Sequence, residues 1–264
     1  MLRADFRWFI LVGMLLATPG IAKAEPPKTP GYTFRDCSIC PEMVVVPIGK
    51  FEMGDLTGDG DSNEKPVHLV KINYRFAVGK FEVSQSEWRA LMRSNPSRFK
   101  GDDRPVEHVS WKDAKSFLEK LNAKTGNSYR LLSESEWEYV ARSGGQSKYS
   151  CGDSDGCVNS SAWYRENSNL ETHSIGQKKP NKFNIYDIHG NVAEWVEDCW
   201  SNQYRNAPTD GSASLLGECE LRVIRGGHWN DYFPQSLRSA ARGWSMITTR
   251  NNNMGFRIAL TISD

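Results

Sequence analysis

Two acidic residues flanking a glycine carry the clearest chemistry in this sequence. In Asp187-Ile188-His189-Gly190-Asn191-Val192-Ala193-Glu194 a carboxylate stands at each end. Gly190 permits a tight turn between them, so two side chains and intervening carbonyls can converge on one hard cation such as calcium. The competing reading is a strand-to-turn segment whose acids face solvent. A second acidic stretch, 55–66, sets Asp59, Asp61 and Asn63 at the alternate spacing of an EF-hand loop. There Glu64 occupies the position that needs Gly and Val70 the one that needs a bidentate Glu, so a solvated turn is expected.

The C-terminal region gathers another kind of chemistry. His228, Trp229, Asn230, Asp231, Tyr232 and Phe233 are followed by Arg238, Arg242, Trp244 and Asn251-Asn252-Asn253. Aromatic platforms, amides and cations in one stretch suit ligand contact. His228, directly after Gly226-Gly227, is the candidate for acid–base or metal chemistry, with a hydrogen-bonded structural histidine as the alternative. His68, His108, His173 and His189 show neither HxH nor HExxH spacing, and no Ser-His-Asp triad is supported beyond the presence of the residue types.

These residues need elements to position them, and three helices carry start signals. Ser84 with Glu87 and Ser133 with Glu136 form capping boxes, and Ser110 opens a helix that buries Ala114, Phe117, Leu118 and Leu121 and stops at Gly126. The first buries Trp88, Leu91 and Met92 and ends at Pro96; the third buries Trp137, Val140 and Ala141 and ends at Gly144-Gly145. Met43-Val44-Val45-Val46 predicts a strand closed by Pro47, with a hairpin to follow, and 67–83 alternates as two strands with a turn near Asn73. Beyond Gly145 the pattern dissolves into loops and short strands. No linker follows Met43, so one α+β domain over 43–262 is expected, preceded by a linker or extended arm over 25–42.

The first 24 residues read as a cleavable leader. Arg3 and Arg7 precede an apolar run too short to span a bilayer, and Ala22-Lys23-Ala24 offers small residues for cleavage before Glu25. The alternative is an uncleaved anchor. Export to the periplasm or medium, with no stable membrane span after cleavage, is the expectation. The whole chain has 33 basic and 32 acidic residues, which argues against nucleic acid as a partner. An oxidising compartment suits the six cysteines, whose positions suggest Cys37 with Cys40, Cys151 with Cys157, and Cys199 with Cys219, although six cysteines allow fifteen pairings. Cys37-Ser38-Ile39-Cys40 as a redox dithiol or half a zinc site ranks below a structural bridge, because no second CxxC and no thioredoxin-like pattern accompanies it.

Several motifs stand in a fixed order: Phe51-Glu52-Met53-Gly54; Glu82-Val83-Ser84; Arg104-Pro105-Val106 with Val109-Ser110-Trp111; Tyr129-Arg130-Leu131-Leu132-Ser133-Glu134-Ser135-Glu136-Trp137; Tyr186-Asp187 through Glu194-Trp195; Arg225-Gly226-Gly227; and Gly255-Phe256-Arg257. The ordered set resembles the formylglycine-generating enzyme, or sulfatase-modifying factor, family over almost the whole chain after the leader. Leu132 stands where the family usually has Pro, and Ala193 where it often has Trp. The resemblance implies a loop-rich fold like that of C-type lectins, with few helices and short antiparallel strands. It also implies a structural calcium held by the Asp187 side chain, the Gly190 and Val192 carbonyls and the Glu194 side chain; a second calcium site has no secure counterpart.

Family members that make formylglycine use two C-terminal cysteines that bind copper, and those positions fall on Asp231 and Ser236. No cysteine follows Cys219, and hard oxygen ligands do not hold Cu(I) well, so copper is not an expected cofactor. The cleft candidates for any other chemistry are His228, Trp229, Asp231, Ser236 and Arg238. What the resemblance leaves open is a maturation or oxidative role on an exported protein or small molecule, a lectin-like binding module, or an accessory subunit for another exported protein.

Overall fold

The run Met43–Val46 is apolar at four consecutive positions because it is buried on both faces. Met43 and Val45 enter one core and Val44 and Val46 another, as the two-residue period of a strand requires. The structure is a computed structural model that describes residue 1 and residues 29–262. Apart from residue 1, the expected leader over 1–24 lies outside the described residues, as do the first residues of the expected arm.

In chain order the strands are β1 (Thr33–Phe34), β2 (Met43–Val46), β3 (Gly49–Met53), β4 (His68–Ile72), β5 (Phe76–Gly79), β6 (Tyr129–Leu131) and β7 (Ala162–Trp163). They continue with β8 (His189–Gly190), β9 (Ala193–Trp200), β10 (Glu218–Arg225), β11 (Arg242–Met246), β12 (Met254–Phe256) and β13 (Ile258–Thr261). Helices α1 (Gln85–Met92), α2 (Trp111–Thr125) and α3 (Glu134–Arg142) are the α-helices among the described residues.

An antiparallel sheet in the order β1-β2-β5-β13-β6 separates the two cores. Strand β13, from the end of the domain, inserts between β5 and β6, which ties the two halves of the chain together. A second sheet runs β11-β10-β9-β12, with β12 parallel to β9 so that Gly255 lies opposite Glu194. The short pair β7 and β8 is also parallel; the remaining pairings are antiparallel. The stretch before Met43, where it is described, belongs to the packed domain: β1 pairs with β2, and Cys40 is fully buried.

Each helix starts on a serine whose hydroxyl accepts the N3 amide while the N3 acid reaches back: Ser84 with Glu87, Ser110 with Asp113, Ser133 with Glu136. One such cap contributes about 1 kcal/mol. Helices α1 and α2 join the first core through Trp88 and Phe117, stacked at 5.6 Å, with Phe256 edge-on to Phe117 at 5.4 Å. Helix α3 ends at left-handed Ser143, just before the expected Gly144, and is buried at every position. Its glutamates survive burial because each meets a guanidinium: Glu134 with Arg242, Glu136 with Arg130, Glu138 with Arg142 and Arg225.

The 55–66 loop departs from the expected solvated turn. Asp55 is buried and accepts the amides of Thr57, Gly58 and Gly60, while Glu64 lies at 1% exposure in a bidentate pair with Arg238 at 2.7 and 2.8 Å. The loop is thereby folded down onto the C-terminal segment. The three disulfides are Cys37–Cys40, Cys151–Cys157 and Cys199–Cys219, as their positions suggest.

Candidate functional site

The 187–194 segment is bent by three left-handed residues, Asp187 (φ 52°), Gly190 (φ 78°) and Asn191 (φ 57°). At Gly190 a Cβ would fall 2.2 Å from the Trp163 carbonyl oxygen, because β8 lies against β7, so only glycine fits. Far from facing solvent, Asp187 and Glu194 are both buried. Asp187 Oδ2 accepts the Gly176 amide at 2.6 Å, and its Oδ1 is buried with no hydrogen-bond partner. Glu194 accepts from Trp137 Nε1 at 2.8 Å and from Arg257 Nη2 at 2.7 Å. Burial, helped by the nearby Glu194, pushes the Asp187 carboxyl up to about 6 against the pull of Arg257.

Among the described residues no three His, Cys, Asp or Glu side chains are grouped to hold a metal by themselves. A cation here needs carbonyls as well, which is the ligand set expected of the loop. The residues fit calcium at Asp187, whose orphaned oxygen is an acceptor with nothing to accept. Glu194 fits with less capacity, because Arg257 and Trp137 already take most of its lone pairs.

This loop supports the cleft next to it. The Gly190 amide donates to the Gly226 carbonyl at 2.8 Å and the Trp229 amide to the Asn191 carbonyl at 2.9 Å. The cleft, of about 330 Å³, is lined by Gly226, Gly227, His228, Asp231, Ser236 and Arg238, and on its other side by Asp59, Asp61 and Glu64. His228 and Asp231 are both half-buried. Asp231 Oδ2 accepts the His228 amide at 2.6 Å, and its Oδ1 lies 3.6 Å from His228 Nε2. His228 Nδ1 accepts the Asn230 amide at 3.1 Å, which leaves the ring proton on Nε2, facing the carboxylate. Burial lowers the imidazole and raises the carboxyl, so at neutral pH the ring is uncharged.

The cleft candidates thus divide. His228, Asp231, Ser236 and Arg238 come together. Trp229 does not: it is buried, its indole N–H is given to the Asn252 carbonyl at 2.9 Å, and its ring packs edge-on against Phe99 at 5.2 Å. Arg238 lines the wall but is held by Glu64, whereas Ser236 is exposed. Sequence reasoning set Asp59, Asp61 and Glu64 in a solvated turn and missed that they reach this cleft from the N-terminal half. It also missed a larger hollow, about 500 Å³, between Trp200, Tyr204, Leu216 and Arg242. Asp198 lies at its floor, pushed up to about 8 by burial and by Glu134. His189 has neither cleft nor metal role: fully buried and lowered to about 4 by burial, it joins the Leu237 carbonyl to the Ser150 amide.

Residues 31–262 match the family model of the sulfatase-modifying factor enzyme 1-like domain. The chain is similar to chaperone protein LppX of Paenibacillus barcinonensis, 28% identical over 276 residues that cover 84% of this chain and 88% of that protein. It is 27% identical over 312 residues to the formylglycine-generating enzyme of Streptomyces coelicolor, covering 93% of this chain and 96% of the other. The structure of PvdO from Pseudomonas aeruginosa superposes with a TM-score of 0.83 at 35% identity, covering 89% of this chain and 100% of that one.

Proposed function

Because the chain belongs to the sulfatase-modifying factor family, we propose that it is an exported, calcium-bound maturation factor that works on an exported protein or small molecule through His228 and Asp231. The observation that carries this reading is the half-buried His228–Asp231 pair, set in a cleft at the site where the resemblance puts copper-binding cysteines. Soft thiolates hold Cu(I) and oxygens do not; here Asp231 and Ser236 stand in those positions, and the six cysteines are all in disulfides.

The Asp231 carboxylate, held by the His228 amide and faced by the ring N–H, can accept a proton from a bound group at one step and return it at another. Gly227 lets Asp231 and Leu237 close against the backbone, since a Cβ there would fall 2.7 and 2.4 Å from them. Calcium bound by Asp187, the Gly190 and Val192 carbonyls and Glu194 would supply positive charge among buried acids. The loop's bonds to Gly226 and Trp229 then keep the cleft floor in place. Export, to the periplasm or the medium, rests on the leader.

Two experiments test this. The mature protein, incubated with copper, oxygen and a Cys-x-Pro-x-Arg peptide, is expected to form no aldehyde by mass spectrometry; formation at a useful rate defeats the proposal. Comparing exported proteins and metabolites of a deletion strain with those of strains carrying wild type or Asp231→Asn should show a mass change that only wild type restores. Full restoration by Asp231→Asn would favour the second reading, a binding module. That reading draws on Tyr232 and Phe233, which follow Asp231 in the chain and are 64% and 63% exposed, with Arg165 over the Tyr232 ring.

A further inference from the structure

A third buried carboxylate faces the 187–194 loop from a distant part of the chain. Glu82, between β5 and α1, is 1% exposed. One of its oxygens accepts the Val192 amide at 3.0 Å and the other accepts Asn191 Nδ2 at 2.7 Å. The backbone around it forms a wall of the same loop: the Lys80 carbonyl accepts the Tyr186 amide at 3.0 Å, and Arg257 bridges the Gly79 and Tyr186 carbonyls at 2.9 and 2.8 Å. Glu82, Asp187 and Glu194 interact electrostatically with one another and with Arg257, which is bonded directly to Glu194. Lys178 approaches from outside, where its ammonium sits over the Trp163 ring and donates to the Asn159 carbonyl. Three buried acids have one buried guanidinium among them, and burial holds the Glu82 and Asp187 carboxyls above the usual carboxylate range. Asp187 Oδ1, buried and without a partner, is the acceptor left open.

We propose that Glu82 is the positioning residue of this cation site, fastening Asn191 and Val192 so that the loop carbonyls face the ion. It acts through the loop, since both of its oxygens are occupied by hydrogen bonds. The inference rests on calcium occupying the loop, and it adds a residue outside the expected ligand set. One consequence is that calcium joins the segment leading into α1 to the loop that supports the cleft.

The test uses the metal-free mature protein, titrated with calcium chloride by calorimetry and melted in calcium and in chelator. Glu82→Gln keeps an oxygen for the Val192 amide but sets an NH2 donor against Asn191 Nδ2, where the second carboxylate oxygen accepted. Calcium affinity should fall roughly 10–100-fold, the usual effect of losing an outer-shell partner. In chelator the variant should melt close to wild type, because the loop carbonyls are then not held against an ion. Hydrogen exchange at the Val192 amide in calcium should quicken. Glu52→Gln, in the hairpin strand β3, should behave as wild type. Calcium affinity unchanged in Glu82→Gln overturns the inference, as does a melting loss equal in calcium and chelator. Wild type that neither binds calcium nor gains stability from it defeats the calcium assignment itself, a result distinct from the other two.

Discussion

Replacing Arg238 by Met would strand Glu64. The pair is bidentate at 2.7 and 2.8 Å, with the two side chains 7% and 1% exposed, so neither salt nor water screens it effectively. Removing one partner of such a buried pair costs about 3–5 kcal/mol, because the remaining charge stays in the interior uncompensated. At roughly 2–4 °C per kcal/mol for a domain of this size, the melting temperature should drop by about 6–20 °C. The double variant Glu64→Gln with Arg238→Met should recover most of that loss, since a neutral pair leaves no isolated charge. Thermal melts followed by near-UV circular dichroism at neutral pH, at low and high salt, read out all four proteins of the cycle. A single variant that melts within about 2 °C of wild type, or a double variant as unstable as Arg238→Met, would refute the claim that this pair holds the 55–66 loop on the cleft.

Two further substitutions probe backbone and pH. Gly190→Ala should be far worse than Gly126→Ala although both glycines have positive φ: at 126 nothing lies within 4 Å, while at 190 the new methyl meets the Trp163 oxygen at 2.2 Å. About 1 kcal/mol is expected at 126 and more than about 4 kcal/mol, or failure to fold, at 190; equal chemical-denaturation midpoints would contradict this. Glu107, fully buried, is pushed by burial from 4.5 up to about 7. Between those values the unfolded chain loses its proton while the folded protein keeps it, so stability falls as pH rises through that window, by up to about 3 kcal/mol. Glu107→Gln should remove this slope, and urea midpoints that differ from wild type by the same amount at pH 4.5 and pH 8 would rule it out.

What could be read from the chain was local. The three serine caps act over three residues, the disulfide pairs lie close in sequence, and the two-sided burial of β2 is written in its unbroken apolar run. What could not be read was assembled from afar. Glu64 and Arg238 are 174 positions apart, and no spacing rule links them, so an acidic loop looked like a solvated one. Trp229 shows the converse: its neighbours His228 and Asp231 belong to the cleft, but the indole turns to Asn252 and Phe99, a choice made by tertiary packing. The Asp187–Glu194 spacing pointed to a cation loop, yet gave no sign that Glu82 lies against it.

Arg242 separates the two hollows, contributing to the wall of each. Its guanidinium is clamped by the Glu134 carboxylate at 2.6 Å and by the carbonyls of Asn63 and Ser201, both at 2.9 Å. It also lies over the rings of Trp200 and Tyr204 at 4.5 and 4.2 Å. Held from so many directions, it is a fixed partition with no hinge. The two chambers therefore cannot merge by a side-chain swing, and a molecule long enough to use both must arch over the outside of this residue.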